Sequence, residues 1–172
     1  MSFHPSRTAQ AEGYGALRTG LIIGIAGGLA EIVVVSLYSA ATGGNPAIVA
    51  RHVASAIGLE GASALTGVLV HMGLAVVLGI ALCAVLQILK VRLVRDAAIF
   101  SFMIGSLAVV WVVNFFVVLP AVSPNFVHLL PYAVTLVSKL AFGIAAAAML
   151  RFAAPLHVTK IARSYDGSEV AV

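Results

Sequence analysis

Residues 20–31 read GLIIGIAGGLAE, an apolar run with four glycines that ends on a carboxylate. Apart from the adjacent Gly27 and Gly28, the glycines and the glutamate are spaced three or four residues apart, so they share one face of a helix. Glycines at this spacing let a second backbone approach closely, which is how helices associate within lipid. The stretch predicts a membrane-spanning helix that packs against others through one face. That face carries Gly20, Gly24, Gly27, Gly28 and Glu31.

The composition indicates that lipid is the solvent of this protein. Hydrophobic residues make up 62% of the 172, charged residues only 9%, and the mean hydropathy is +1.11. A soluble domain carries about 25% charged residues to wet its surface. The basic residues lie at the ends of apolar stretches, where they orient a membrane protein, so no nucleic-acid partner is expected.

Four stretches are long enough to cross a bilayer, which takes about 20 mainly apolar residues. They cover about 17–42, 62–89, 97–119 and 126–152. In lipid every backbone polar group needs an internal partner, so these stretches are predicted to be helices. We therefore expect an all-α membrane protein, a four-helix bundle over 17–152, with an N-terminal segment at 1–16 and a tail at 153–172.

The basic residues predict the orientation of the bundle. Eight of the ten Lys and Arg fall on one side, Arg51 falls on the other, and Lys139 lies within a helix. The positive-inside rule then places both termini in the cytoplasm, in a multi-pass protein of the bacterial inner membrane. The eight are Arg7, Arg18, Lys90, Arg92, Arg95, Arg151, Lys160 and Arg163.

The connection 43–61 is the only long one on the outer side. Asn45 followed by Pro46 is typical of a helix start, and Gly58 of a helix end. We predict a short amphipathic helix at the outer interface. Its apolar side is Val49, Val53, Ala56 and Ile57, and its polar side is Arg51 and Ser55.

Glu31 and Lys139 fall near the middle of the first and fourth helices, at similar depth. An unpaired charge there costs roughly 2.5–3.5 kcal/mol on insertion scales, so both are predicted to face the interior and each other. Their pairing can be a structural ion pair, part of a proton or ion path, or a contact with a partner or ligand.

The other helices also carry faces of polar and small residues at helical spacing, so the four faces are expected to line one interior. His71 is predicted to be a hydrogen-bonded interior histidine in the outer half, Asn114 to bond a neighbouring helix, and Gly67 and Gly143 to pack helices. The faces are Ala64, Gly67, His71 and Ala75 on the second helix, Ser106, Val110 and Asn114 on the third, and His128, Tyr132, Thr135, Lys139, Gly143 and Ala147 on the fourth.

No pattern indicates catalysis or a resident cofactor. The single cysteine, Cys83, excludes an internal disulfide and fits a small buried hydrophobe. A membrane haem b needs two histidines at matched depth, and His71 has no such mate because His128 lies near the outer helix end. Copper ligation by His52, His71 and His128 follows no spacing rule. We expect no catalytic residue, metal or haem, although bound lipid stays possible.

The glycine-rich first helix, the outer Asn45-Pro46 helix and the His71-Met72-Gly73 segment resemble small bacterial inner-membrane proteins of the YagU-like type. The resemblance covers most of residues 17–150. It implies a compact four-helix bundle without an established activity, and it transfers no catalytic residue.

Three functional hypotheses follow. The first is a non-catalytic membrane subunit or accessory protein that docks to other membrane proteins or to itself. The second is a small transporter or ion-conducting protein that uses Glu31 and Lys139. The third is a subunit of a redox complex that contacts a haem or copper centre. The sequence identifies no partner, substrate or oligomeric state.

Overall fold

The computed structural model describes residues 7–88 and 96–153 and is mostly helical in these ranges, with no strand in them. Four helical stretches are long and apolar enough to span a membrane. The predicted all-α, four-helix membrane fold is confirmed. The helices are α1 (Arg7–Ala41), α2 (Pro46–Ser55), α3 (Ala64–Ile88), α4 (Asp96–Val113), α5 (Leu119–Val122), α6 (Pro124–Val127) and α7 (Tyr132–Ala153); a π-helical segment, Asn114–Val118, joins α4 to α5.

The fourth spanning helix begins six residues later than predicted, at Tyr132 instead of 126. The carbonyl of Pro131 accepts bonds from the amides of Val134 and Thr135, so the proline stands at the helix start. Hydropathy cannot detect this break because the residues before Pro131 are apolar. The placement of His128 on the fourth helix was wrong, since it follows α6 in the connection.

The short helix α2 has the ends that its sequence predicts. The Asn45 side chain accepts from the amide of Ala47 at 2.9 Å, and Pro46 occupies the first helical position. At the other end Gly58 adopts a φ of +85°, which favours glycine, and the Leu59 amide returns to the Ala54 carbonyl at 3.1 Å. This pairing is the Schellman arrangement that closes a helix.

The four spanning helices lie side by side in the order α3, α1, α7, α4. Each is antiparallel to its neighbour, and the expected pairing of the last two spans is seen between α4 and α7. Within the described ranges α3 and α4 share no extended helix–helix contact. The bundle is therefore open along the side between α3 and α4, which the sequence did not indicate.

One half of the bundle is filled by an apolar core. Ile23 of α1, Met103 and Leu107 of α4, and Phe142 of α7 are fully buried, and the same cluster includes Cys83 of α3, as expected for a small buried hydrophobe. This core lies at the end of the bundle away from α2. A cavity lies at the other end, beside α2.

The third spanning helix widens before a proline. Pro120 has no amide hydrogen, and in an α-helix its ring would collide with the carbonyl four residues earlier. The π-helical segment Asn114–Val118 directly precedes it. Local π adjustments of this kind let a membrane helix accommodate proline. The widened turn begins at Asn114, one of the predicted site residues.

Some predictions fall outside the described residues. These are the basic residues Lys90, Arg92 and Arg95 between the second and third spans, and Lys160 and Arg163 of the tail. The orientation of the bundle therefore stays a prediction.

Candidate functional site

The structure brings Glu31 and Lys139 together. The Lys139 ammonium on α7 lies 2.6 Å from a carboxylate oxygen of Glu31 on α1. The Glu31 side chain is 6% exposed and that of Lys139 16%, so water does little to weaken the pair. The same ammonium lies 5.9 Å from the centre of the Phe142 ring. Each charge thus has its counter-charge within the membrane-spanning part.

His71 of α3 joins this pair from the other side of α1. Its Nε2 lies 3.3 Å from the Gly28 carbonyl oxygen and 3.6 Å from the second carboxylate oxygen of Glu31. The shorter contact is the hydrogen bond, because 3.6 Å is too long for one. A carbonyl only accepts, so Nε2 donates to Gly28. The predicted hydrogen-bonded histidine is seen, and it lies level with Glu31.

All six predicted packing glycines lie at helix–helix contacts. Gly24 is one of three on α1 that approach α3: a Cβ there would lie 2.6 Å from the Cα of Val76. Gly27 lies instead against the Phe142 ring of α7. The glycine face of α1 therefore packs against two neighbouring helices, α3 and α7. The remaining contacts are Gly20 with Ile80, Gly28 with Ala75 and Met72, Gly67 with Ala50 of α2, and Gly143 with Ile104 of α4.

A hydrogen bond joins α4 to α7 beside the charged group. The indole N–H of Trp111 donates to the Thr135 hydroxyl at 3.0 Å, and that hydroxyl donates to the Tyr132 carbonyl at 2.9 Å. Ser138 is buried and donates to the Thr135 carbonyl. The sequence analysis missed Ser138, although a polar residue directly before Lys139 was an available signal.

Asn114 differs from its prediction. Its side-chain amide makes no hydrogen bond to any residue that the structure describes, so the expected bond to a neighbouring helix is wrong there. Asn114 instead lines a cavity. The π-helical turn that begins at Asn114 changes the direction of its side chain relative to a regular helix, which no spacing rule anticipates.

The cavity, here called the lateral cleft, has a volume of about 730 Å³ and a lining that is mainly apolar. Helices α1 and α7 form its floor, while α3 forms one wall and α4 with its π-helical segment forms the other. Helix α2 closes one end because it packs on both α3 and α6. The polar residues that line the cleft are Glu31, Ser36, His71, Asn114, Thr135, Ser138 and Lys139.

Helix α2 was predicted to lie at the outer interface of the membrane. In the structure it packs on α3 and α6. Val49 and Val53 of the helix, and Ala56 and Ile57 directly after it, line the cleft, whereas Arg51 and Ser55 lie on a separate surface. The amphipathic pattern is present, but its apolar side turns toward α3 and the cleft. Short hydrophobic periodicity cannot distinguish a protein surface from a lipid surface, because both are apolar.

The predicted site residues thus converge on one place, while the three histidines considered as copper ligands do not. Glu31, Lys139, His71 and Asn114 all line the lateral cleft. His52 lies on α2, and His128 is exposed after α6. Over the described ranges no three His, Cys, Asp or Glu side chains are grouped closely enough to hold a metal ion.

No family model, no curated protein and no solved structure matches the chain. The resemblance to YagU-like proteins stays a prediction. The function therefore has to be argued from the cleft itself.

Proposed function

We propose that this chain is a non-catalytic accessory protein of the membrane that holds a membrane-dissolved amphiphile in the lateral cleft. The observation that carries the proposal is the cleft: about 730 Å³, walled mainly by apolar side chains, with a charged pair on its floor and a few further polar groups around it. Pockets for small molecules occupy about 300–1,000 Å³ and combine apolar walls with a few oriented polar groups.

The layout fits an amphiphile because the polar and apolar parts are separated. The charged pair Glu31 and Lys139 lies on the floor, where α1 and α7 meet. From there the side between α3 and α4 is open, so an apolar tail can leave the cleft toward lipid. A polar head on the floor and a tail between the walls would satisfy both surfaces.

A binding role also agrees with the pairing of the charges. Glu31 is occupied by Lys139 at 2.6 Å, and His71 donates to a backbone carbonyl. General acid–base catalysis needs a group that is free to exchange a proton with the substrate. In this arrangement the ionisable groups hold one another, which favours binding over chemistry.

The test is to purify the protein from membranes in mild detergent and to analyse an organic-solvent extract by mass spectrometry. We expect one amphiphile to be retained in fixed proportion to the protein through extensive washing. An extract that contains only the bulk lipids of the membrane, in their bulk ratio, would overturn the proposal.

Docking of a partner protein is the second candidate, and the open side between α3 and α4 favours it. Leu65 and Leu74 of α3 and Val118 of the π-helical segment line this opening and are exposed large apolar side chains. A transmembrane helix of a partner subunit could cover the opening. A strictly monomeric product from native membranes, without a co-purifying protein, would exclude this candidate.

Ion conduction is less well supported. The fully buried Ile23, Met103, Leu107 and Phe142 fill the half of the bundle beyond the charged pair. Conduction would require this apolar layer to open. Vesicles that contain the protein and a pH-sensitive dye test it: equal proton flux in the wild type and in Glu31→Gln excludes a role for Glu31.

We further propose that the protein lies in a bacterial inner membrane with both termini in the cytoplasm. The support is the distribution of Lys and Arg along the sequence, eight of ten on one side.

A further inference from the structure

The charges on the floor of the lateral cleft restrict the charge of its ligand. Glu31 and Lys139 lie 2.6 Å apart and neutralise each other. A charged head beside them would have no counter-charge of its own, and an unpaired charge is disfavoured at this depth. The Nε2–H of His71 already donates a hydrogen bond to the Gly28 carbonyl. The site therefore favours an uncharged head.

Two polar groups of the cleft, the Lys139 ammonium and the Asn114 amide, specify which hydrogen-bonding groups that head must carry. The Lys139 ammonium has three N–H donors and no acceptor, and only one carboxylate contact occupies it. The Asn114 amide has no partner among the described residues and lines the same cleft. At Lys139 the head must therefore accept a hydrogen bond. At Asn114 it can accept one as well.

The two donors lie at different levels of the bundle. Trp111 and Thr135 are hydrogen-bonded to each other, so they lie at the same height along the bundle axis, one on α4 and one on α7. Because these helices are antiparallel, Asn114 lies three residues beyond that level in one direction and Lys139 four residues in the other. At about 1.5 Å per residue the two lie about 10 Å apart along the axis. A head that reaches both carries acceptors on opposite edges.

An aromatic surface lies next to the level of Asn114. The buried Phe115 lines the cleft and stacks on Trp111, with ring centroids 5.9 Å apart. Flat rings pack well on such surfaces in offset or edge-on arrangements. A planar head thus has apolar contact on its face and hydrogen-bond donors at its edges.

We infer that the lateral cleft binds an uncharged amphiphile of the quinone class, with a planar ring that carries carbonyl acceptors on opposite edges and an apolar tail. The inference rests on the proposed function and names the ligand class of the same cleft. The tail leaves between α3 and α4. The ring carbonyls accept from Lys139 on one side and from Asn114 on the other.

The single tryptophan provides the assay. Trp111 is the only one in the chain and stacks on the cleft residue Phe115, so a quencher in the cleft reduces its emission. The protein is reconstituted in phosphatidylcholine vesicles and titrated separately with decylubiquinone, a dibrominated fatty acid and a dibrominated diacylglycerol. Quenching by probes merely dissolved in the bilayer rises without saturation, whereas binding in the cleft saturates.

We expect saturable quenching by decylubiquinone at a half-saturating concentration about tenfold below those of the other two probes. Equal or tighter binding of the fatty acid overturns the uncharged head, and equal binding of the diacylglycerol overturns the quinone ring; both leave the proposed function intact. Failure of all three probes to saturate overturns the ligand class and counts against the proposed function as well.

The variants test the assigned donors. Asn114→Leu should weaken decylubiquinone about tenfold, whereas the neighbouring Val113→Leu, on an exposed side of α4, should not. Because Asn114 has no described partner, its replacement leaves the fold intact even if variants at the charged pair unfold. The double variant Glu31→Gln with Lys139→Met should weaken binding similarly. Unchanged quenching in Asn114→Leu would overturn the inference.

Discussion

The ammonium of Lys139 on α7 lies 2.6 Å from the carboxylate of Glu31 on α1, although 108 residues separate them in the chain. Both charges would be costly alone within the membrane. Together they join the two central helices of the row, and they form the floor of the lateral cleft.

Replacing one member of this pair should be worse than replacing both. Glu31→Gln or Lys139→Met alone leaves an unpaired buried charge, with an expected loss of about 3–5 kcal/mol in the free energy of unfolding. The double variant removes both charges and should lose less than the sum of the singles. Unfolding in a series of detergent mixtures measures all four proteins. Additive losses would show that the two residues do not act as partners.

The variants Gly24→Ala and Gly73→Ala should differ sharply in stability. A Cβ at Gly24 would lie 2.6 Å from the Cα of Val76 on α3, so Gly24→Ala must push the helices apart. We expect a loss of about 1–3 kcal/mol from overpacking. Gly73 has nothing within 4 Å of such a Cβ, and Gly73→Ala should be neutral or slightly stabilising because alanine favours helix.

Thermal denaturation of the two variants in one detergent compares them directly. Both changes add the same methyl group to a membrane-spanning helix. Equal effects would therefore contradict the close approach of α1 and α3.

Filling the lateral cleft should displace its ligand. Val110 of α4 lines the cleft, and its neighbour Val109 is exposed on the other side. Val110→Phe places a ring in the cavity and should reduce the retained amphiphile, while Val109→Phe points away and should leave it unchanged. Mass spectrometry of solvent extracts from equal amounts of folded protein gives the comparison. Equal retention in both variants would place the ligand elsewhere.

The connection between α1 and α3 should be reachable from outside the cell. Glu60 is exposed in this connection, and the native Cys83 is buried. In a Cys83→Ala background, Glu60→Cys should react with a membrane-impermeant maleimide in intact cells. A cysteine at Ser2 should react only after the cells are broken. The reverse pattern would invert the proposed orientation.

Much of this protein could be predicted from its sequence. Bilayer thickness and backbone hydrogen bonding act on each segment separately, so hydropathy alone finds the four spans. Chain direction then sets the depth of every residue, which is why Glu31 and Lys139 could be paired in advance. Asn45, Pro46 and Gly58 bound α2 as expected, because capping depends only on neighbouring residues.

Only the tertiary structure decided which surfaces meet. Gly27 turns to α7 while Gly24 turns to α3, and this division sets the order of the row and leaves α3 and α4 apart. His71 reaches Glu31 because α1 and α3 pack at one particular offset. These outcomes depend on the fit between surfaces distant in the chain, and in lipid no difference in hydrophobicity indicates which fit prevails. The lateral cleft is the result of that packing.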